Sequence, residues 1–198
     1  MYDLKDHRWI KNVQQLRSSD KSTVLTFDDG PGRYTNRILD ILKAKQVPAM
    51  FFWQSKLFYT ERPWKRVINE GHTIQSHAHN HKNLIQLSKE QQYDHIKKSI
   101  TIIESITGKK VQYFRPPFGQ YNEDTMLILD ELNLQPVMWE ICSYDWEHKN
   151  SPDQIITNVC DYARYGSIIL LHELKQTVKV LPQLVDCLKK KGFRFTIL

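Results

Sequence analysis

The apolar positions of this chain switch repeatedly between two periods. Short runs rich in β-branched and aromatic residues read as strands: Thr23–Phe27, Ala49–Trp53, His72–Gln75, Tyr113–Phe114, Pro136–Ile141, Ser167–Leu171 and Arg194–Ile197. Between them the period lengthens to that of a helix. Tyr34–Lys45 carries Ile38, Leu39, Ile41 and Leu42 on one face, and Glu61–Glu70 is closed by Gly71. Ser88, with Glu90 and Gln91 in the following turn, is an N-cap signature for a long helix that Gly108 stops after Thr107. Glu123–Asn133 and Val178–Lys191 are further helices, and Ser151-Pro152 starts another with proline at its first position.

Alternation of this kind along the whole chain predicts an α/β domain with a mostly parallel sheet. About seven strand–helix repeats either close as a small barrel or stay an open sheet, and periodicity does not choose between the two. With 198 residues, 40% of them hydrophobic, the chain is long enough for one sizeable core and too short for two. The alternation starts near residue 21, so residues 1–20 are expected to form an N-terminal extension and residues 21–198 the domain proper.

A net charge of +6 favours anionic surroundings. The clearest basic runs, Lys97-Lys98, Lys109-Lys110 and Lys189-Lys190-Lys191, fall in or beside helical segments and read as solvated faces, so no nucleic-acid partner is expected. Cys142, Cys160 and Cys187 are odd in number and widely spaced, suiting neither a disulfide framework nor a thiolate zinc site; Cys160 and Cys187 read as small buried residues. The first residues contain no apolar stretch resembling a signal peptide, and no run approaches the ~20 apolar residues of a membrane span.

The chemistry-bearing residues cluster where strands end. Asp28-Asp29 follows the first strand, and Gly30-Pro31 then forces a turn. Successive side chains of an extended segment point apart, so one carboxylate is able to ligate a metal while the other faces a substrate; a turn held by local hydrogen bonds is the alternative. After the third strand comes Ser76-His77-Ala78-His79-Asn80-His81. His77 and His81, four residues apart, lie on one side of a helical turn, and with one carboxylate they make a His₂Asp set with a coordination position left open. His79 is left a structural or solvent-facing role.

Arg115-Pro116-Pro117-Phe118-Gly119 is a rigid turn suited to fixing a guanidinium against a carboxylate and aiming a backbone N–H. Trp139 and Ser143-Tyr144-Asp145-Trp146 surround another strand end, where Asp145 is placed to orient a histidine and the tryptophans to wall a sugar pocket. The apolar run Ile168–Leu171 delivers His172 at the same edge.

These residues resemble the polysaccharide deacetylase family (NodB-like, carbohydrate esterase family four) over nearly the whole chain from about residue 21. Thr26-Phe27-Asp28-Asp29-Gly30-Pro31 is similar to its first motif, and His77 with His81 to its paired histidines. Arg115–Gly119, Asp145-Trp146 and Leu171-His172 are similar to its third, fourth and fifth. The resemblance implies a distorted (β/α) barrel and a divalent metal, zinc first with cobalt or nickel as alternatives, held by Asp29, His77 and His81. It also implies Asp28 as general base, Arg115 as its tether, and His172 as general acid oriented by Asp145. The Phe118 N–H would meet the developing oxyanion, and Phe118, Trp139 and Trp146 would contact substrate.

The expected reaction is hydrolysis of N-acetyl groups on an N-acetylglucosamine polymer, peptidoglycan or chitin-like. An O-acetyl esterase and an inactive carbohydrate-binding domain of the same fold are the alternatives. A monomer is expected, at the cell envelope or outside the cell by the family's habit, with the cytoplasm as alternative because this chain shows no export signal. Ala78 departs from the family, which usually has Ser or Thr there to brace the histidine loop; Lys82 stands where proline is common, and Phe118 replaces a frequent tyrosine.

Overall fold

The structure, a computed structural model, describes Asp3, residues 5–16 and residues 22–198. In chain order the elements are β1 (Ser22–Gly30), α1 (Thr35–Lys45), β2 (Met50–Trp53), α2 (Trp64–Asn69), β3 (Thr73–Ser76), α3 (Lys89–Thr107) and β4 (Tyr113–Phe114). They continue with α4 (Glu123–Glu131), β5 (Gln135–Pro136), β6 (Ile141–Cys142), α5 (Asp153–Cys160), β7 (Ile168–His172), α6 (Lys175–Lys190) and β8 (Arg194–Phe195). Local chemistry sets several of these bounds. Ser88 caps α3 with the reciprocal bond from Gln91, and Gly108 ends it at φ 65, a left-handed conformation that glycine adopts without strain. Asn122 caps α4 in the same reciprocal way with Thr125.

The sheet runs β5-β4-β3-β2-β1-β7-β6, every neighbouring pair parallel, with β8 pairing β1 off this path. The strand expected over Pro136–Ile141 is in fact two, β5 and β6, at opposite edges of the sheet. Only residues 137–140 separate them, and a chain advances at most ~3.5 Å per residue, so the edges must curl towards each other. The sheet is therefore a distorted (β/α) barrel with a seam, not a flat sheet. Ile10 fills that seam: it forms a parallel bridge with Val137, while Asn12 bridges Ser167. The boundary expected between residues 20 and 21 lies outside the described residues; residues 9–13 pack into the barrel, with Trp9 and Val13 fully buried.

Side chains alternate across the curled sheet as strand geometry requires. Val24, Met50, Phe52 and Ile168 form one cluster with Ile10, Val13 and Val137, inside the curl. Leu25, Phe27, Phe51, Trp53, Ile169 and Leu171 join the larger core beneath the helices. Thr26 and Asp28 share the inner face with Val24.

Register brings the strand ends level. Asp28 pairs with His172 across β1 and β7, Trp53 with Ser76 across β2 and β3, and Ser76 with Phe114 across β3 and β4. The residues just beyond those positions, Asp29, Gln54, His77 and Arg115, leave the sheet at one edge, where parallel α/β sheets build their sites.

The cysteine reading needs correction: the structure joins Cys160 of α5 to Cys187 of α6 in a disulfide, Cα atoms 6.6 Å apart. The pair is 27 residues apart in sequence, and only the packing of α5 on α6 brings it within bridging range. Cys142 is free. Among the described residues no helix is long and apolar enough to cross a membrane.

Candidate active site

A pocket of about 560 Å³ opens at that edge, lined among others by Asp28, Asp29, His77, His81, Phe118, Trp139, Trp146 and His172. Arg115 and Asp145 lie directly behind it, both fully buried. The structure thus gathers all ten singled-out residues around one hollow.

Asp28 is buried, and its Oδ1 accepts from Arg115 Nη1 at 2.7 Å. The guanidinium also donates to Thr26 Oγ1 at 2.8 Å and, through Nη2, to the Met138 carbonyl at 2.8 Å, while lying 4.2 Å over the Phe52 ring. A buried charge pair is tolerable only when its remaining hydrogen-bonding groups are satisfied, and here they are. Arg115 therefore fixes the Asp28 carboxylate with Oδ2 turned towards the pocket.

Asp29 adopts φ 69, so its side chain departs from that of Asp28 and meets the histidines. His77 Nε2 and His81 Nε2 approach Asp29 Oδ1 to 3.6 and 3.3 Å. Ligand atoms of Asp29, His77 and His81 all lie within 4.8 Å of one another. His77 Nδ1 donates to the Arg115 carbonyl at 2.7 Å, which leaves its Nε2 lone pair facing Asp29. Burial pushes the His81 pKa below the ordinary imidazole value, outweighing the Asp29 carboxylate beside it. Burial would raise the Asp29 pKa, but the three neighbouring histidines and the Gln54 hydrogen bond hold it below the usual range. One carboxylate and two imidazoles converging within this distance are a donor set that suits a divalent metal.

His172 stands on the other side, its Nε2 3.9 Å from Asp29 Oδ2. Its Nδ1 and its backbone N–H both donate to Asp145, each at 2.7 Å. Thr177 Oγ1 donates to the same carboxylate at 2.6 Å. Burial would lower the His172 pKa, but the Asp145 hydrogen bond and the surrounding carboxylates push it up to about 9. A pKa raised in this way favours the protonated imidazole, with Nε2 facing the pocket.

Aromatic side chains form the rim. Phe118 and Trp146 are 54% and 40% exposed, which is unusual for such side chains and suits a face that receives a ligand. Phe118, at φ 60, packs edge-on against His81, and Trp146 edge-on against His172. Gly119 is required by Trp139, since a Cβ there would sit 2.9 Å from the indole ring.

Three supporting residues were given no role by the sequence reading. Gln54 Nε2 donates to Asp29 Oδ1 at 2.9 Å; its place just after β2, at the same edge, was the available signal. Glu173, buried directly after His172, accepts from Trp53 Nε1 at 2.7 Å, from the Gly32 N–H at 3.0 Å and from Thr35 Oγ1. It presses against Gly30 and so fixes the turn behind Asp28-Asp29. Tyr144, at φ 55, walls the pocket beside Trp146. His79 takes the structural part expected of it: its Nδ1 meets Ser55 Oγ at 2.8 Å, while the Ser55 and Lys56 N–H groups bond the Ala78 and His79 carbonyls. These contacts hold the loop that carries Ala78 in place of a hydroxyl residue.

Comparison with known proteins bears on the family. Residues 15–137 match the family described as polysaccharide deacetylase. The peptidoglycan-N-acetylglucosamine deacetylase of Bacillus cereus is 35% identical over 88% of this chain, which spans 66% of that protein. A solved deacetylase designated T48, with substrate, is 35% identical with a TM-score of 0.83, covering 90% of this chain and 89% of that one. A pseudoenzyme of carbohydrate esterase family 4 from Bacillus anthracis is 27% identical with a TM-score of 0.81, covering 89% of this chain and 63% of its own. The chain belongs to the polysaccharide deacetylase family.

Proposed function

We propose that this chain hydrolyses the N-acetyl groups of N-acetylglucosamine units in peptidoglycan, with a divalent metal at Asp29, His77 and His81. The observation that carries the reading is the convergence of that ligand set between a carboxylate fixed by Arg115, Asp28, and an imidazole held by Asp145, His172. Two imidazoles and one carboxylate suit zinc, with cobalt or nickel as substitutes. A metal held there would supply Lewis acidity, lowering the pKa of water and polarising an acetyl carbonyl.

The chain's own residues account for the rest. Asp28, held by Arg115, accepts the proton of the attacking water. The Phe118 N–H faces the developing oxyanion, a contribution of ~3 kcal/mol for a well-placed donor. His172, kept protonated by Asp145, passes its pocket-facing proton to the leaving sugar nitrogen. Phe118, Trp139, Tyr144 and Trp146 wall the sugar and exclude water. The Bacillus cereus relative, named as a peptidoglycan deacetylase, supports a cell-wall polymer as substrate and an envelope setting.

The likeness to the pseudoenzyme favours a second reading, an inactive carbohydrate-binding domain. The retained polar set weighs against it, since a binding domain has no use for a protonated His172. Acetate release from N-acetylglucosamine oligomers by metal-stripped protein, with and without added zinc or cobalt, separates the two. Metal-dependent release that Asp28→Asn abolishes supports the deacetylase. Oligosaccharide binding with no release under any metal sinks it.

A further inference from the structure

Beside the site lies a second hollow, of about 770 Å³, whose lining includes Arg33, Arg37, Lys149, Lys175 and Lys179 and no carboxylate. All five cations are exposed, and among the described residues none forms an ion pair. Arg33 stacks instead over its neighbour Tyr34, 4.7 Å from the ring.

This placement runs against local electrostatics. Lys175 is the first residue of α6 and Arg37 lies in the first turn of α1, at helix ends that already carry partial positive charge. Neither helix has an acidic residue of its own in its first turn or a side-chain cap; the carboxylates near these ends, Asp145 at Thr177 and Glu173 at Thr35, are buried and pair with none of the five cations. Cations normally gather at the opposite end, as Lys189 and Lys190 do in α6. Five like charges from three separate segments repel one another unless an anion sits among them, and locally unfavourable choices of this kind mark functional sites.

The hollow shares a wall with the active site. Leu174 lines the one and Lys175 with Gln176 the other, and Gln176 Nε2 donates to the Asp145 carbonyl at 2.8 Å. Arg33 follows the Asp28-Asp29 turn, and Lys149 follows Trp146.

We infer that this cationic hollow is a subsite for an oxyanion, carboxylate or phosphate, carried by the same wall polymer whose acetyl group enters the neighbouring pocket. The inference rests on the deacetylase reading for the identity of the polymer. Paired arginine forks suit such oxyanions, and the lysines add charge without fixed geometry. The reaction itself supports the arrangement. Water and the neutral acetamide become acetate and an ammonium on the sugar, so each turnover makes the polymer more cationic and weakens its hold on five cations. A charge-selective subsite thus favours unreacted strands over product.

The test is Arg37→Glu/Lys179→Glu, two exposed positions outside the catalytic pocket, with Arg37→Gln/Lys179→Gln as a milder companion. On soluble acidic peptidoglycan strands at low salt, KM should rise about tenfold with kcat unchanged, and the difference should vanish at high salt. On neutral N-acetylglucosamine oligomers both constants should stay within about twofold, and the glutamine pair should show a smaller rise. Equal losses on both substrates, or none on the acidic one, overturn the subsite.

Strands with amidated carboxylates and strands stripped of phosphodiester-linked polymer identify the source, since the discrimination should disappear with whichever group is bound. Persistence in both overturns the assignment. If no substrate is deacetylated, cosedimentation with the same wall preparations still decides. Weaker binding by the glutamate variant keeps the subsite while sinking the enzyme reading, and equal binding sinks the subsite. Duplex DNA that competes as well as the strands overturns the wall polymer as ligand.

Discussion

On the proposed mechanism, in which His172 is the general acid, Asp145→Asn should convert an acid that works across the neutral range into one that works only in acid. His172 is pushed from 6.5 up to about 9 against the opposing effect of burial, mainly by its 2.7 Å hydrogen bond to Asp145 and that group's charge. At 1.36 kcal/mol per pKa unit the displacement corresponds to roughly 3 kcal/mol of extra proton affinity. Asparagine removes the Asp145 charge and leaves burial opposed only by the Asp28 and Asp29 carboxylates, so the pKa should fall back towards the ordinary imidazole value. The role fixes the sign: a general acid is active while protonated, and activity is lost as pH rises through its pKa. At pH 8 a group titrating near 9 is about nine-tenths protonated and one titrating near 6.5 about 3%, a loss of about thirtyfold that acidification restores. A cation bound at Asp29, 3.9 Å from His172 Nε2, would move the limbs of both proteins down together, so the difference between them is the readout. The measurement is kcat/KM for acetate release across pH, with NMR titration of His172 in metal-free protein. Thr177→Val is the control, since it removes one donor to Asp145 and leaves the charge. An Asp145→Asn enzyme whose basic limb coincides with that of the wild type refutes the reasoning.

Arg115→Leu leaves Asp28 buried without its cation and should destabilise the fold by about 3–5 kcal/mol in denaturant unfolding, with partial recovery when Asp28→Asn is added. Gln54→Ala frees the Asp29 carboxylate from its 2.9 Å donor; metal affinity by chelator competition should fall about tenfold, while activity at saturating metal survives. Unchanged affinity would show that Asp29 is held without Gln54. Gly30→Ala drives a Cβ into the Glu173 carboxylate and the Trp53 indole; it should cost about 3 kcal/mol of stability, and Glu173→Ala in the same chain should relieve much of that loss.

The parts of the site that were legible in the sequence are those packed into short contiguous segments. Asp28-Asp29, His77 with His81, Arg115 and His172 each come at the end of an apolar run that reads as a strand, and parallel strands deliver their C-terminal residues to one edge. Their mutual order needed no more than that. Barrel against open sheet, by contrast, was decided by four residues. The stretch 137–140 looks strand-like because Val137 and Met138 are apolar, yet their burial comes from spanning the seam rather than from pairing along one strand. The Cys160–Cys187 bridge was invisible for a related reason, since the contact of α5 with α6 exists only in three dimensions.

The support around the site was hidden because it works one to one over long separations. Glu173 meets Gly32, Thr35 and Trp53 across more than a hundred residues, and no periodicity marks a residue whose value lies in its partners. Its burial is nonetheless informative once seen. A carboxylate kept out of water, with its pKa raised chiefly by burial and countered by the Thr35, Gly32 and Trp53 donors, is costly to retain unless position matters more than stability. Here the position is that of Gly30, the residue after both aspartates. The same logic separates the two charge clusters of this molecule. The buried charges at Asp28, Arg115, Asp145 and Glu173 are each answered by hydrogen-bond partners and so are complete without a ligand. The cations of Arg33, Arg37, Lys149, Lys175 and Lys179 form no ion pair among the described residues, and a hollow that gathers five such charges, two of them in the first turns of helices, is arranged for something that arrives from outside.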